Sequence, residues 1–389
     1  MRQKVKLWEI AKVSAWNSAP QDEKLFKDWK YPFYRTADVG KVHHSRNLTE
    51  VKDYLNEEWI KWLKLYKKWT ILFPKSWAST FLNHRVIMWQ DGYVVSHLAT
   101  ISVNKDVDEN FVYYYLTTVD AKDLCAEQWY PSLKSSNIAE VEIPVPPLET
   151  QKTIVAKLDQ IFAELDQTKL EIQKNLDNTD ELWKSALNQA FQGDREMKTI
   201  EELTTSIEYW IWETWLDKWD LRYVRITDID EDYLLKDYDK KYIMLNEKSK
   251  LSILNKWDVL IARTWATFWK CLYFNSDEKS AFAWYLIRPN FKSEINTKYF
   301  SLFTQSWLYW NQANNLVSWW WQPQFNANAI KKVELPVPPL SEQEKIVEHL
   351  DQVSKEVKAL KSQYQSQLDN LEELKKSVLD KAFRWELVE

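Results

Sequence analysis

Glycine is almost absent. Only 3 of 389 residues are Gly, where an ordinary chain carries roughly 7%. Positive-φ turns and close backbone approaches normally demand it. Cysteine is scarce too. Cys125 and Cys271 stand far apart and in no metal spacing, which excludes a disulfide framework and a structural zinc site. The histidines (His43, His44, His84, His97 and His349) form no HExxH pattern. No stretch approaches the ~18 consecutive apolar residues of a membrane span. The first residues lack the apolar region of a secretory signal, so the chain is expected in the cytoplasm, without membrane partners. There is no phosphate loop, no nucleophile elbow, no kinase motif set and no Asp/Asn-Pro-Pro-Tyr motif of amino-methylating enzymes. The histidines have no carboxylate partner in a defined motif. The expectation is a non-enzyme.

Tryptophan is what abounds, with 24 residues. Gly and Trp together make 27 of 389, about the usual share of glycine. Lys68-Trp69-Thr70, Lys256-Trp257-Asp258 and Trp319-Trp320-Trp321 are turn contexts, which suit Gly and not an indole. Some bacterial lineages read UGA as glycine where other codes write Trp. Most of these Trp are therefore expected to stand for Gly, with Trp183, inside a helical pattern, as a candidate genuine Trp. The opposing reading is a truly Trp-rich protein that binds carbohydrate or aromatic ligands.

The chain is an internal repeat. Residues 143–159 read IPVPPLETQKTIVAKLD and residues 335–351 read LPVPPLSEQEKIVEHLD, at an offset of 192. At the same offset Gly193 meets Trp385. Residues 68–79 (KWTILFPKSWAS) match 256–267 (KWDVLIARTWAT) at offset 188, and Tyr34-Arg35 with Asp38 match Val224-Arg225 with Asp228. The order is variable domain, conserved segment, variable domain, conserved segment, divided at 1–146, 147–196, 197–336 and 337–389.

Proline clusters at Pro144, Pro146, Pro147 and at Pro336, Pro338, Pro339 mark boundaries before helices. In the last segment Ile346, Leu350, Val353, Val357, Leu360, Tyr364, Leu371, Leu374 and Val378 follow steps of three and four, with Gln367 as a polar interruption. The earlier segment gives Ile154, Leu158, Ile161, Leu165, Ile172, Leu176, Trp183, Ala186 and Ala190. Two such seams can satisfy each other as an antiparallel pair; the alternative is that each helix packs on its own domain. The variable domains read as mixed α and β. Ile71–Phe73 and Val259–Ile261 read as buried strands, while Phe111–Leu116 fits strand or helix. The expected class is α+β: two mixed domains separated by two long antiparallel helices in a coiled coil, with pseudo-two-fold repetition.

Net charge is −5 overall, but the acidity sits on the helices: +2 over 1–146, −4 over 147–196, 0 over 197–336 and −3 over 337–389. This permits local DNA contact without predicting it.

Written with glycines, residues 257–270 become GDVLIARTGATFGK, 319–340 become GGGQPQFNANAIKKVELPVPPL and the C-terminus becomes SVLDKAFRGEL. Leu7-Trp8-Glu9-Ile10 becomes LGEI. With the twice-present PVPPL-x-x-Q-x-x-IV-x-x-LD block, the chain resembles the specificity subunit of type I restriction–modification systems along essentially its whole length. The resemblance implies two target-recognition domains, each reading half of a bipartite site in double-stranded DNA. The helix pair spaces them and docks two methyltransferase subunits, and endonuclease/translocase subunits join. S-adenosylmethionine is then expected on the methyltransferases, with no cofactor on this chain. The coiled-coil interface is expected at Leu158, Ile161, Leu165, Ile172, Leu350, Val353, Val357, Leu360 and Leu371.

Base edges are read best by Arg, Lys, Asn and Gln. The DNA-contact candidates are Tyr34, Arg35, Lys75, Ser76, His84, Arg85 and Lys134 in the first domain. In the second they are Arg225, Arg263, Thr264, Lys270, Gln322, Gln324 and Asn326. For Lys75-Ser76 and Arg263-Thr264 a structural turn after a buried strand is the competing reading. The competing function is a coiled-coil interaction protein, a decayed or regulatory relative, that does not itself bind DNA.

Overall fold

The computed structural model describes residues 4–18, 30–42, 45–76, 78–125, 133–209, 215–217, 220–230, 233–247, 249–263, 270–316 and 325–387. The chain divides into two compact units, Met1–Ile172 with Gln367–Glu389, and Gln173–Ser366.

In the first unit, strands Ala11–Ser14, Leu98–Val103, Ile71–Pro74, Val86–Met88 and Asn47–Leu48 form one sheet in that spatial order. Strand Tyr31–Tyr34 lies between Asp53–Leu55 and Tyr93–Val94 in a second sheet. The second unit repeats the plan. Its larger sheet runs Thr204–Tyr209, Leu286–Phe291, Val259–Ala262, Cys271–Tyr273, and its smaller one places Leu221–Val224 between Tyr242–Ile243 and Ser280–Phe282. Ile71–Phe73 and Val259–Ile261 are buried central strands, as their unbroken apolar runs imply. Phe111–Leu116 belongs to a helix, Glu109–Thr117, capped by Asp108, whose carboxylate accepts from Asn110 N and Phe111 N. Asn296 caps the equivalent helix Thr297–Phe303 in the same way.

Each unit closes on a short antiparallel clasp. Lys4–Lys6 pairs with Glu142–Pro144, and Met197–Thr199 with Glu334–Pro336. A long helix follows each clasp, Leu148–Ala190 and Leu340–Phe383. At 43 and 44 residues, each is about 65 Å long. The repeated PPL-x-x-Q block explains how helix and domain are joined. Gln151 is buried; its Nε2 donates to Pro146 O (2.7 Å) and its Oε1 accepts from Asp108 N (2.8 Å). Gln343, fully buried, donates to Pro338 O and Glu294 O (2.9 Å each) and accepts from Asn296 N (2.9 Å). The aspartate ending the block is a second tie. Asp159 holds Arg46 (2.6 Å) and Tyr114 (2.5 Å), and Asp351 holds Lys298 (2.5 Å).

The helices run antiparallel. In the first unit Asp166 meets Lys375 (3.9 Å) and Lys169 meets Glu372 (2.7 Å); in the second, Asp180 pairs with Lys361. Leu158, Ile172, Leu350 and Val357 are buried, and Ile161, Leu165, Val353, Leu360 and Leu371 are half-buried along the seam. Leu374 departs from the expected seam and is 47% exposed. The next residue, Lys375, is half-buried instead, its ammonium 4.9 Å from the Phe162 ring. Thr179 is a buried seam position that apolar spacing misses; its hydroxyl is satisfied by Leu176 O (2.6 Å).

Six non-glycine residues among those described have positive φ, and three are tryptophans: Trp69 (73°), Trp257 (80°) and Trp385 (67°). Trp69 is the third residue of a turn closed by Thr70 N to Lys67 O, and Trp257 of one closed by Asp258 N to Asn255 O. That position in a type II turn belongs to glycine. Trp385 follows a helix whose end is closed by Trp385 N to Ala382 O and Glu386 N to Lys381 O, the C′ site of a Schellman motif. Gly193, its repeat partner, has φ 121°.

Candidate nucleic-acid interface

The two units present the same corner. Lys75 leaves strand Ile71–Pro74 with its amide donating to His97 O (3.0 Å) and its carbonyl accepting from Leu133 N (2.8 Å). Arg263 leaves strand Val259–Ala262 with its amide donating to Tyr285 O (3.0 Å) and its carbonyl accepting from Phe325 N (3.2 Å). In both, the backbone under a cation is pinned on two sides. Exposed Lys134 follows Leu133 in sequence, and exposed His97 supplies the carbonyl that the Lys75 amide meets. In the second unit the Arg263 guanidinium stands 5.7 Å from the Tyr209 ring, whose hydroxyl accepts from Ala327 N (2.9 Å).

Charge pairing occupies most of the described arginines. Among the nine described arginines, Arg35, Arg46, Arg195, Arg222, Arg225, Arg288 and Arg384 each meet a carboxylate. Arg85 is buried and Arg263 is half-buried; among the described residues neither has a carboxylate within ion-pair distance.

Other sequence candidates lie elsewhere. Tyr34 is 1% exposed, its hydroxyl bonded to Gln90 O (3.1 Å), and burial pushes it up to about 12. Arg35 is bound to Asp53 (2.5 Å). Arg225 is held by Asp228 through two nitrogens (3.1 and 2.6 Å). The repeated Arg-x-x-Asp is a turn device: buried Asp38 and Asp228 each accept the amide of the arginine three residues earlier (2.9 and 2.7 Å). Arg85 is 2% exposed, with its guanidinium 3.2 Å from the Phe73 ring and bonded to His84 O (2.7 Å). Burial pushes its pKa down to about 9. It lies in the core beneath strand Ile71–Pro74. Lys270 donates to Ile229 O, so its ammonium is spent on the fold. Asn326 caps helix Ala327–Lys331, its Oδ1 accepting from Ala329 N (3.0 Å). His84 and Ser76 are half-buried; Ser76 O accepts from the Ser79 hydroxyl (2.6 Å). Thr264, Gln322 and Gln324 lie outside the described residues, as do His43, His44 and Trp319–Trp321.

His97, Tyr209 and Tyr285 were missed by residue type. A signal existed for two of them: the offset of 188 that aligns Lys75 with Arg263 also aligns His97 with Tyr285.

A duplicated domain with a cationic corner matches one family model twice. The model for the type I restriction modification DNA specificity domain covers residues 2–178 and again 213–370. The chain belongs to this family. It is a DNA specificity subunit of a type I restriction–modification system. Two solved structures share the fold. One, from work on complex assembly and conformational transition of the type I R-M system, has a TM-score of 0.79 at 16% identity, covering 98% of this chain and 97% of that one. The other, the HsdS subunit from Thermoanaerobacter tengcongensis, has a TM-score of 0.60 at 17% identity, covering 98% and 96%. No curated protein matches this chain. Among the described residues, no helix of this family member is long and apolar enough to cross a membrane.

Proposed function

We propose that each unit reads one half of a bipartite site in double-stranded DNA, using the corner around Lys75 in the first unit and Arg263 in the second. The observation that carries this reading is the corner itself. It recurs at one place in both repeats, with a rigid backbone and a cation, yet the cation and its neighbour differ (Lys75 with His97, Arg263 with Tyr285). Two readers on one plan, differing at the contact point, suit two different half-sites. Phosphates supply affinity and base edges supply sequence. The antiparallel helices set the separation of the readers and dock two methyltransferase subunits. Those subunits bind S-adenosylmethionine and carry out methyl transfer, and endonuclease/translocase subunits complete the assembly. This chain contributes recognition and no catalytic group.

The test is to purify the chain with its methyltransferase subunit and map methylated positions in a random-sequence library. A bipartite motif with a fixed gap is expected. Methylation without a motif, or a co-purifying complex that ignores DNA, would replace this reading with a coiled-coil interaction protein.

A further inference from the structure

We infer that Arg263 is a specificity-determining residue that reads a guanine edge in the half-site of the second unit. This rests on the DNA-reading role proposed above and assigns one base contact within it.

Within the described residues the Arg263 guanidinium meets rings and no carboxylate: Tyr209 at 5.7 Å and Trp284 at 5.9 Å. Every other described arginine is either ion-paired or buried as core support. Among the described arginines Arg263 alone is half-exposed and meets no described carboxylate, and its guanidinium carries five donors in a planar fork. Its main chain is anchored by Tyr285 O and Phe325 N, which holds the Cα in place while the side chain extends. The Tyr209 ring beside the guanidinium, itself fixed by Ala327 N, limits the side-chain freedom lost on binding. A pre-oriented planar fork is what bidentate recognition of guanine O6 and N7 requires. A phosphate clamp needs only a point charge, which lysine supplies. Lys75 occupies the equivalent place in the first unit with the same two backbone ties.

The experiment uses the chain in complex with its methyltransferase, after the wild-type motif has been mapped. Absence of any wild-type motif would be a failure of the DNA-reading role, and is seen before Arg263 is touched. Arg263→Ala, Arg263→Lys and Lys75→Ala are then compared on sites carrying every single-base change. Arg263→Ala is expected to lose about 10- to 100-fold discrimination at one G·C pair of one half-site. Arg263→Lys keeps the charge and loses the fork, so it should lose most of the same discrimination. Lys75→Ala should leave that half-site unchanged. Uniform weakening across all sequences with a salt slope reduced by about one would make Arg263 a phosphate contact and overturn the proposal. Unchanged discrimination in both Arg263 variants would overturn it equally.

Discussion

The tryptophans at positive φ make a sharp stability prediction. A left-handed backbone costs an L-residue roughly 1–2 kcal/mol, because Cβ crowds the following carbonyl oxygen. Glycine avoids that cost but loses more chain entropy on folding, about 0.4–1 kcal/mol relative to alanine. Comparing Trp257→Gly with Trp257→Ala removes the same indole in both and leaves only Cβ as the difference. The glycine variant is expected to be the more stable by about 1 kcal/mol, the difference of those two terms. For a domain of 150–250 residues, that is about 2–4 °C in Tm. Trp69 makes the same turn in the first unit and should show the same sign; sitting in separate units, the two effects should add. Trp183, inside helix Leu148–Ala190, is the internal control, where Gly should be worse than Ala by about 1 kcal/mol. Thermal and urea unfolding of the six single variants and of the Trp69→Gly/Trp257→Gly double variant suffice. If alanine equals or exceeds glycine at both 69 and 257, the backbone argument fails. The companion observation is the peptide masses of the protein made in its own cells, expected to show glycine at 69, 257 and 385. Tryptophan masses there would end the recoding explanation.

Four further outcomes follow from the packing. Gln343→Leu leaves Asn296 N and two carbonyls without their partner, and should cost about 1–3 kcal/mol in urea unfolding, with faster amide exchange at the start of helix Thr297–Phe303. Arg85→Met removes a buried cation that meets no carboxylate among the described residues; it should be neutral or stabilising by up to about 1 kcal/mol and leave DNA discrimination unchanged, as differential scanning calorimetry and site methylation would show. Inserting one heptad in each long helix keeps the seam in phase and adds about 10.5 Å; methylation mapping should find the gap lengthened by up to about three base pairs with both half-sites intact. Cys271 is buried and its thiol is pushed up to about 12, so thiol reagents at pH 8 should label it only after the second unit unfolds, while half-buried Cys125 is labelled earlier.

Much of the architecture was legible because periodicity and repetition are direct consequences of packing. The three–four spacing located both seams, and the buried runs at Ile71 and Val259 located the central strands. The failures have local causes. Leu374 fits the heptad count, but Lys375 lies against Phe162 and is the more buried of the two, and spacing alone does not decide between them. Phe111–Leu116 was ambiguous because a helix buried on most of its surface shows no polar face; the informative residue was its cap, Asp108. For the site, Tyr34, Arg35 and Arg225 drew attention because they recur, yet they recur as parts of a turn closed by Asp38 and Asp228. Arg85 looked available because sequence does not reveal that a guanidinium can lie on a phenyl ring inside the core.

Those cases supply a rule for a duplicated reader. Residues identical in both copies, such as Gln151 with Gln343 and Asp159 with Asp351, tie each domain to its helix through bonds made inside the unit. Residues that share a backbone setting but differ in side chain are released from that duty. Lys75 with Arg263 and His97 with Tyr285 are such pairs, and their hydrogen bonds to the fold run through the main chain. The side chains can therefore change without disturbing the strand end beneath them. A scaffold that must read two half-sites needs this division, since a contact residue that also held the fold together could not diverge between the copies. Exchanging the pair, Lys75→Arg with His97→Tyr, should for that reason leave the free energy of unfolding within about 0.5 kcal/mol of wild type, as expected for surface changes that break no buried interaction. A larger loss would mean that the corner serves the fold, and would move the search for the readers to the other loops.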